Sequence, residues 1–272
     1  MDFSEKNAGD LGSLADAGGP CIAPLDAAAE YLRRRMDRVL PLYVLAMAPH
    51  AVVAVLLIDA IVAERRSNAE TYCIFLVIAT LWRWVWLARL QQNVQADLSA
   101  RQRGPFWKRT ASILMVRLFS NFAITWGSLA AGVPAFYGLY VGTFAAPLLL
   151  ESDEPTITRV GQSLSWIQNS GKRLFRVSIA MTAITILLTA AIFLGQAALA
   201  GTVLPSLLGV DGADLNVTID SWAWRMRLFY LIFLVIDAFW TVAGVFLYYD
   251  SQSRRLATDL RVRLQGMMEV QP

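Results

Sequence analysis

The sequence predicts an all-α integral membrane protein with six transmembrane helices and with both termini in the cytoplasm. Composition is the first observation behind this prediction, because 56% of the 272 residues are hydrophobic and mean hydropathy is +0.47, whereas about 45–50% apolar is usual in soluble domains. The second is the recurrence of apolar runs long enough to cross a hydrocarbon core of about 30 Å. The third is the placement of lysine and arginine, which orients the spans.

Six apolar segments are separated by polar connections. We predict spans at residues 39–63, 70–90, 111–128, 131–150, 175–200 and 225–249. Two further helices, at residues 26–38 and 156–170, are expected on the cytoplasmic side. The second has apolar residues at helical spacing and is typical of a helix lying on the membrane surface. Packing of that helix on the protein's own loops is an equally good alternative.

The two ends of the chain differ from its middle. Residues 1–24 are rich in Gly, Ala and Asp, which predicts a disordered acidic tail. Residues 25–272 are expected to form one membrane domain, which closes with a basic tail at residues 250–272.

Residues 110–150 could form one long helix or two short spans with a bend near residues 127–134. The charges decide between them. The segments 1–38, 89–110, 151–176 and 250–272 hold five, five, four and four of the 24 lysines and arginines. Because cytoplasmic segments collect basic residues, all four belong on the inside. That placement requires two crossings between residues 110 and 150.

Four ionisable residues are expected within the bilayer, where an unpartnered charge costs several kcal/mol. We group them as an intramembrane polar cluster: His50, Arg83, Arg117 and Asp237. At about 1.5 Å per helical residue, Asp237 and His50 lie near the midplane, and either arginine could reach Asp237. The cluster could be a proton or ion relay, or a set of structural contacts between helices, and the second interpretation is favoured. Asp59 falls near the outer surface.

One glycine pattern bears on how the spans pack. Gly138-x-x-x-Gly142 lies in the fourth predicted span. Because small residues allow two helices to approach closely, the pattern favours packing between helices of the same chain.

Catalytic patterns are missing from the sequence. There is no Gly-rich phosphate loop, nucleophile elbow or His-Glu-x-x-His motif. One histidine and two separated cysteines are too few for an ordinary zinc site, so neither a metal nor a cofactor is expected. Glu151, Asp153 and Glu154 could bind a metal together, but adjacent acids before a helix usually form a solvated cap. The basic residues flank apolar spans, which indicates anionic lipid headgroups rather than nucleic acid as their partner.

Two segments carry a family resemblance. The first runs from Ala146-Pro147 to Glu151 and on through Arg159-Val-Gly-Gln-Ser163. The second is Leu-Tyr248-Tyr249-Asp250-x-x-x-Arg254-Arg255-x-x-x-Asp259-Leu260. Together they resemble a bacterial multi-span family, the glycerophosphoryl diester phosphodiesterase membrane domain and its uncharacterised relatives, over residues 110–263. The chain departs from that pattern at Gln252, Leu256 and Ala257.

The resemblance implies a bacterial inner-membrane location and six spans. It also marks a cytoplasmic motif, formed by Glu151, Ser163, Tyr248, Tyr249, Asp250, Arg254 and Asp259. Phosphodiesterase activity is not carried over, because the chain has no room for the catalytic domain that accompanies this segment in some members.

The function expected from these observations is that of a non-enzymatic scaffold or partner subunit in an envelope complex, with the lipid bilayer and other membrane proteins as its partners. The alternative is a transporter of small solutes or lipids that uses the intramembrane polar cluster. A third, more remote hypothesis is an enzyme acting on lipid headgroups at residues 151–154.

Overall fold

Every regular element that the structure describes is an α-helix. The computed structural model describes residues 23–99, 106–129, 133–151, 154–198 and 222–269. The helices are α1 (Ala23–Val62), α2 (Arg66–Ser99), α3 (Phe106–Leu129), α4 (Val133–Glu151), α5 (Thr156–Ala198) and α6 (Trp222–Glu269). The predicted all-α class is therefore confirmed for these residues. The disordered tail predicted at the N-terminus lies almost wholly outside them.

Four of the helices are long and apolar enough to cross a membrane, namely α1, α2, α5 and α6. The other two fall short of that measure for local reasons. Helix α3 contains Lys108, Arg109 and Arg117, and α4 contains Pro147 and Glu151, and these residues lower the mean hydropathy of each helix. Four helices are therefore candidate membrane spans, and the predicted count of six spans stays a prediction.

Two predicted breaks between elements are absent, and a third is found as a kink. The first surface helix and the first span are two helical segments of α1 that meet at a kink, where Arg35 has non-helical φ −123° and ψ 23°. The second surface helix and the fifth span form the continuous α5. Helix α2 continues through the polar residues after Leu90 as far as Ser99. In α2 and α5 the polar composition changes the surroundings of the chain without ending the helix, and in α5 this holds even across the weak helix formers Asn169, Ser170 and Gly171.

The chain divides into two compact units, which we describe separately. The first takes its described residues from Met1–Val44, Trp84–Val177 and Phe239–Pro272, and the second is Leu45–Arg83 with Ser178–Ala238. Helices α3 and α4 belong wholly to the first unit. Each of the four long helices contributes to both.

Close packing of α3 on α4 depends on two glycines in the first unit. A Cβ atom on Gly138 would lie 2.8 Å from the Ser120 carbonyl oxygen and 3.0 Å from Ala123 Cβ. One on Gly142 would lie 2.9 Å from Ser120 Cβ. The Gly-x-x-x-Gly pattern therefore allows two helices of the same chain to approach closely, as the sequence predicts.

Large apolar side chains cover the outer surface of both units. In the second unit they include Ile74, Val77 and Ile78 on α2, each more than half exposed. In the first unit α3 presents an outward stripe formed by Met115, Leu118, Phe119, Phe122 and Trp126. Because soluble proteins rarely expose apolar patches of this extent, these faces are typical of contact with lipid chains.

Candidate functional site

Arg83 and Asp237 form an ion pair within the second unit. The guanidinium Nη2 of Arg83, on α2, donates to Oδ1 of Asp237, on α6, and both side chains are only 13% exposed. The ring of Phe233 lies one helical turn before Asp237, with its centroid 5.1 Å from Arg83 Cζ. A charge held in apolar surroundings needs a partner of opposite sign, and the aromatic face adds a cation–π contact.

His50 contributes a different contact in the same unit. Its Nδ1 shares a hydrogen bond with the Tyr230 hydroxyl. The two rings are nearly parallel, with an interplanar angle of 15° and centroids 5.8 Å apart. Helix α1 is thereby joined to α6 by a neutral polar contact.

A second ion pair joins α1 to α6 in this unit. Arg227 Nη2 donates to Asp59 Oδ1, and the two side chains are 38% and 46% exposed. The sequence places Asp59 near the outer surface with access to water, and its greater exposure fits that expectation. Sequence reasoning misses Arg227 as its partner.

Arg117 belongs to the first unit, where it is buried on α3. Its Nη2 donates to Oε1 of Gln91 at 2.8 Å. The predicted polar cluster therefore divides, with Arg117 in the first unit and His50, Arg83 and Asp237 in the second. Of the two arginines considered as partners of Asp237, Arg83 is the one that supplies the ion pair within that unit.

Gln91 is the central polar residue of the first unit. While its Oε1 accepts from Arg117, its Nε2 donates to the carbonyl oxygens of Thr143 on α4, at 3.3 Å, and Thr241 on α6, at 3.2 Å. The side chain is almost completely buried. One amide thus connects α2 to three other helices.

Pro147 explains why a donor is needed at this place. Proline has no backbone N–H, so the carbonyl four residues earlier, that of Thr143, loses its usual helical partner. Gln91 supplies the missing donor, and one turn later Gln95 Nε2 donates to the carbonyl of Pro147 at 3.2 Å. The spacing of the two glutamines matches that of the two carbonyls they bind.

Residues of the predicted cytoplasmic motif also meet in the first unit. The Tyr248 hydroxyl donates to the Glu151 carboxylate, which also accepts from Gln252 Nε2 at 3.4 Å. The fully buried Tyr248 ring packs against Trp166 of α5, with centroids 5.3 Å apart. The C-terminal end of α4 is joined to α6 by the Tyr248–Glu151 hydrogen bond, and the Tyr248 ring in turn joins α6 to α5.

Asp250 forms ion pairs with two arginines beside that contact. Arg173 Nε lies 3.0 Å from Asp250 Oδ2, and Arg254 Nε donates to Oδ1 at 3.1 Å. Tyr249 packs edge-on against Tyr248, with ring centroids 5.3 Å apart.

Two further residues of the motif are placed differently. Ser163 is buried and donates within its own helix to the Val160 carbonyl. Asp259 lies in α6, but its side chain is outside the described part of the structure.

The contacts that these groups make are ion pairs and hydrogen bonds. Among the described residues, no three or more His, Cys, Asp or Glu side chains come together in a way that could hold a metal ion. Asp153, one of the acids considered for such a role, lies outside the described residues. Comparison with protein-family models, with curated proteins and with solved structures finds no match for this chain.

Proposed function

We propose that this chain is an integral protein of the bacterial inner membrane that serves as a scaffold or partner subunit of an envelope complex and performs no catalysis itself. The observation that carries the proposal is the Arg83–Asp237 ion pair. A proton or ion relay needs groups that change partners during a cycle. Here the two charges are paired with each other and both side chains are largely buried, as expected of a structural contact.

We also propose six spans, with both termini in the cytoplasm. At about 1.5 Å per residue, the 24 residues of α3 extend about 36 Å and the 19 residues of α4 about 28 Å. Both lengths suit a hydrocarbon core of about 30 Å. The outward apolar stripe of α3 and the buried position of Arg117 suit a helix with lipid on one side and protein on the other.

Residues of the cytoplasmic motif contact one another in the structure. Glu151 and Tyr248 are bonded to each other, and Asp250 is paired with Arg254. We propose that these residues hold the cytoplasmic ends of the helices in a fixed arrangement on which a partner can dock.

Capture from native membranes, in two mild detergents and after chemical cross-linking, tests the scaffold proposal. We expect the same membrane protein to be captured in every condition. Ile157, at the start of α5, has an 87% exposed apolar side chain and is a candidate contact with that partner. Ile157→Asp should remove the partner, whereas Thr158→Asp, on the exposed neighbouring residue, should retain it. Recovery of the protein alone in all conditions would overturn the proposal.

A transporter is the second candidate, because His50, Tyr230, Arg83 and Asp237 lie together in one unit. Reconstitution into proteoliposomes distinguishes the two functions. If the chain is a transporter, Asp237→Asn abolishes solute uptake or lipid flipping while the protein remains folded. If the pair is structural, the substitution lowers thermal stability and the wild-type protein transports nothing.

A further inference from the structure

The N-terminal part of α1, which we call the arm (residues 23–38), is fixed to the first unit by one of its faces. Leu25 and Ala28 are buried. The Tyr31 hydroxyl donates to Asp97 Oδ2, at the end of α2, at 3.0 Å, and the Tyr31 ring packs edge-on against Phe246 of α6. Burial, and then the nearby Asp97 carboxylate, raise the pKa of Tyr31, so its hydroxyl remains a donor. The rest of the arm is consequently held facing outward.

Two arginines stand side by side on the outward part of the arm. Glu30 accepts from Nε and Nη2 of Arg33, both at 2.8 Å, and from Nε of Arg34. Hydrogen bonds from Arg33 and then Arg34 lower the pKa of Glu30 to about 2, so its carboxylate is charged at any physiological pH. The arginine side chains are nevertheless 75% and 56% exposed. One carboxylate therefore orients two guanidinium groups and cancels only one of their charges.

Apolar side chains follow on α1 after the kink at Arg35. Met36, Leu40 and Val44 recur every four residues and each is about half exposed. They form a stripe that continues into the first predicted span. Arg34 lies five residues before residue 39, where that span begins, which is roughly 8 Å at the helical rise, with the kink between them. The two arginines are thus placed at the depth of the lipid headgroups, whose layer is about 5–8 Å thick on each side of the hydrocarbon.

From this arrangement we propose that Arg33 and Arg34 form a binding site on the arm for the phosphate of an anionic phospholipid, whose chains lie along Met36, Leu40 and Val44. Charge complementarity favours this ligand, because Arg33 and Arg34 carry two positive charges against the one carboxylate of Glu30. Arg38 is instead paired with Asp97 of α2, at 3.7 Å. Guanidinium groups bind phosphate oxygens in a bidentate way. Glu30 competes with the phosphate for the same donors while keeping the two arginines together.

The test measures binding of dioctanoyl phosphatidylglycerol to the full chain in a neutral detergent by native mass spectrometry. Dioctanoyl phosphatidylcholine and inorganic phosphate serve as comparison ligands. We expect Arg33→Gln/Arg34→Gln to bind phosphatidylglycerol about thirtyfold more weakly, given about 1 kcal/mol for each arginine near a lipid surface. Glu30→Gln should bind about fivefold more tightly, because the competing carboxylate is gone.

A control variant that removes the same number of positive charges distinguishes a defined site from general electrostatic attraction of the anionic lipid. Lys172→Gln/Arg176→Gln removes two exposed basic residues of α5 and should leave the affinity within about twofold of wild type. Equal losses in the two double variants, or no loss in either, would overturn the site on the arm. Equally strong binding of inorganic phosphate or of phosphatidylcholine would overturn an anionic lipid as its ligand.

Discussion

At the scale of single residues, Arg83 and Asp237 are the most constrained charges of the second unit. A guanidinium group stays charged whether or not it has a partner. We therefore expect Asp237→Asn to lower the free energy of unfolding by about 3 kcal/mol, because it leaves the Arg83 charge buried and unpaired. Arg83→Gln should lower it by less. The double variant should recover much of that loss. Thermal unfolding in a mild detergent measures the series.

Asp59 and Arg227 provide the matched control for this prediction. They form the same kind of ion pair with much greater exposure. Exposed pairs contribute less than about 1 kcal/mol, so Asp59→Asn should shift the unfolding temperature only slightly. If Asp59→Asn and Asp237→Asn were equally destabilising, burial would not be what makes the Arg83–Asp237 contact important.

Sequence reasoning identifies the intramembrane charges but does not assign their partners. Depth along a helix follows from counting residues, which is why Arg83 is a candidate partner for Asp237. Which way a side chain faces around its helix depends on packing with neighbours that are distant in sequence. For that reason Arg117 is an equal candidate on sequence alone, and its contact with Gln91 is not foreseeable. The contacts of Tyr230 and Arg227 are not predicted, because both residues resemble ordinary interfacial residues at the end of a span.

At the scale of a helix, Pro147 and Gln91 form a matched pair. Gln91→Ala removes the donor to the Thr143 carbonyl and also an acceptor from Arg117, which should cost about 1–3 kcal/mol. Pro147→Ala restores a backbone N–H that can bond to that same carbonyl. In the Pro147→Ala background, Gln91→Ala should accordingly be less destabilising.

A double-mutant cycle on unfolding free energies measures this coupling. Gln95→Ala supplies a control, because Gln95 donates to the carbonyl of Pro147, which keeps its helical geometry in either background. Its cost should be the same with proline or alanine at position 147. Additive effects of Gln91→Ala and Pro147→Ala would contradict the role assigned to Gln91.

Helix α6 approaches α4 closely at Gly244. A Cβ atom there would clash with the Thr143 side chain and come within 3.3 Å of Gln91 Nε2. Gly244→Ala should therefore destabilise the protein by about 1–3 kcal/mol through overpacking. Gly195→Ala, at a helical glycine where an added Cβ would meet no atom within 4 Å, should be neutral or slightly stabilising. Thermal unfolding of both variants checks the prediction, and similar losses would contradict it.

The polar run Gln91–Gln95 shows what sequence reasoning misjudges at this scale. Its composition indicates the start of a polar cytoplasmic connection, yet Gln91, Gln92 and Gln95 are buried in the first unit. Polarity predicts contact with water only where the protein itself offers no partner. The carbonyl freed by Pro147 and the guanidinium of Arg117 are partners supplied by other helices, and a single sequence does not show that they are near.

At the scale of the whole molecule, apolar runs and charge placement predict the helical class and the separation of α3 from α4. Helix junctions are less predictable. The surface helix predicted at residues 156–170 is continuous with a span, whereas the one predicted at residues 26–38 is separated from its span by a kink at Arg35. A change from polar to apolar composition marks a change of surroundings, and it does not by itself mark the end of a helix.

The number of crossings is a property of the whole molecule that single cysteines can test. In a variant without Cys21 and Cys73, we would introduce a cysteine at Ser67, Ala130 or Ser206 and apply an impermeant maleimide to intact cells. Six spans place all three positions outside, so all three should be labelled, whereas cysteines at Lys108 and Lys172 should react only after the cells are opened. Labelling at Ser67 and Ser206 without labelling at Ala130 would show that α3 and α4 enter the membrane and return without crossing it.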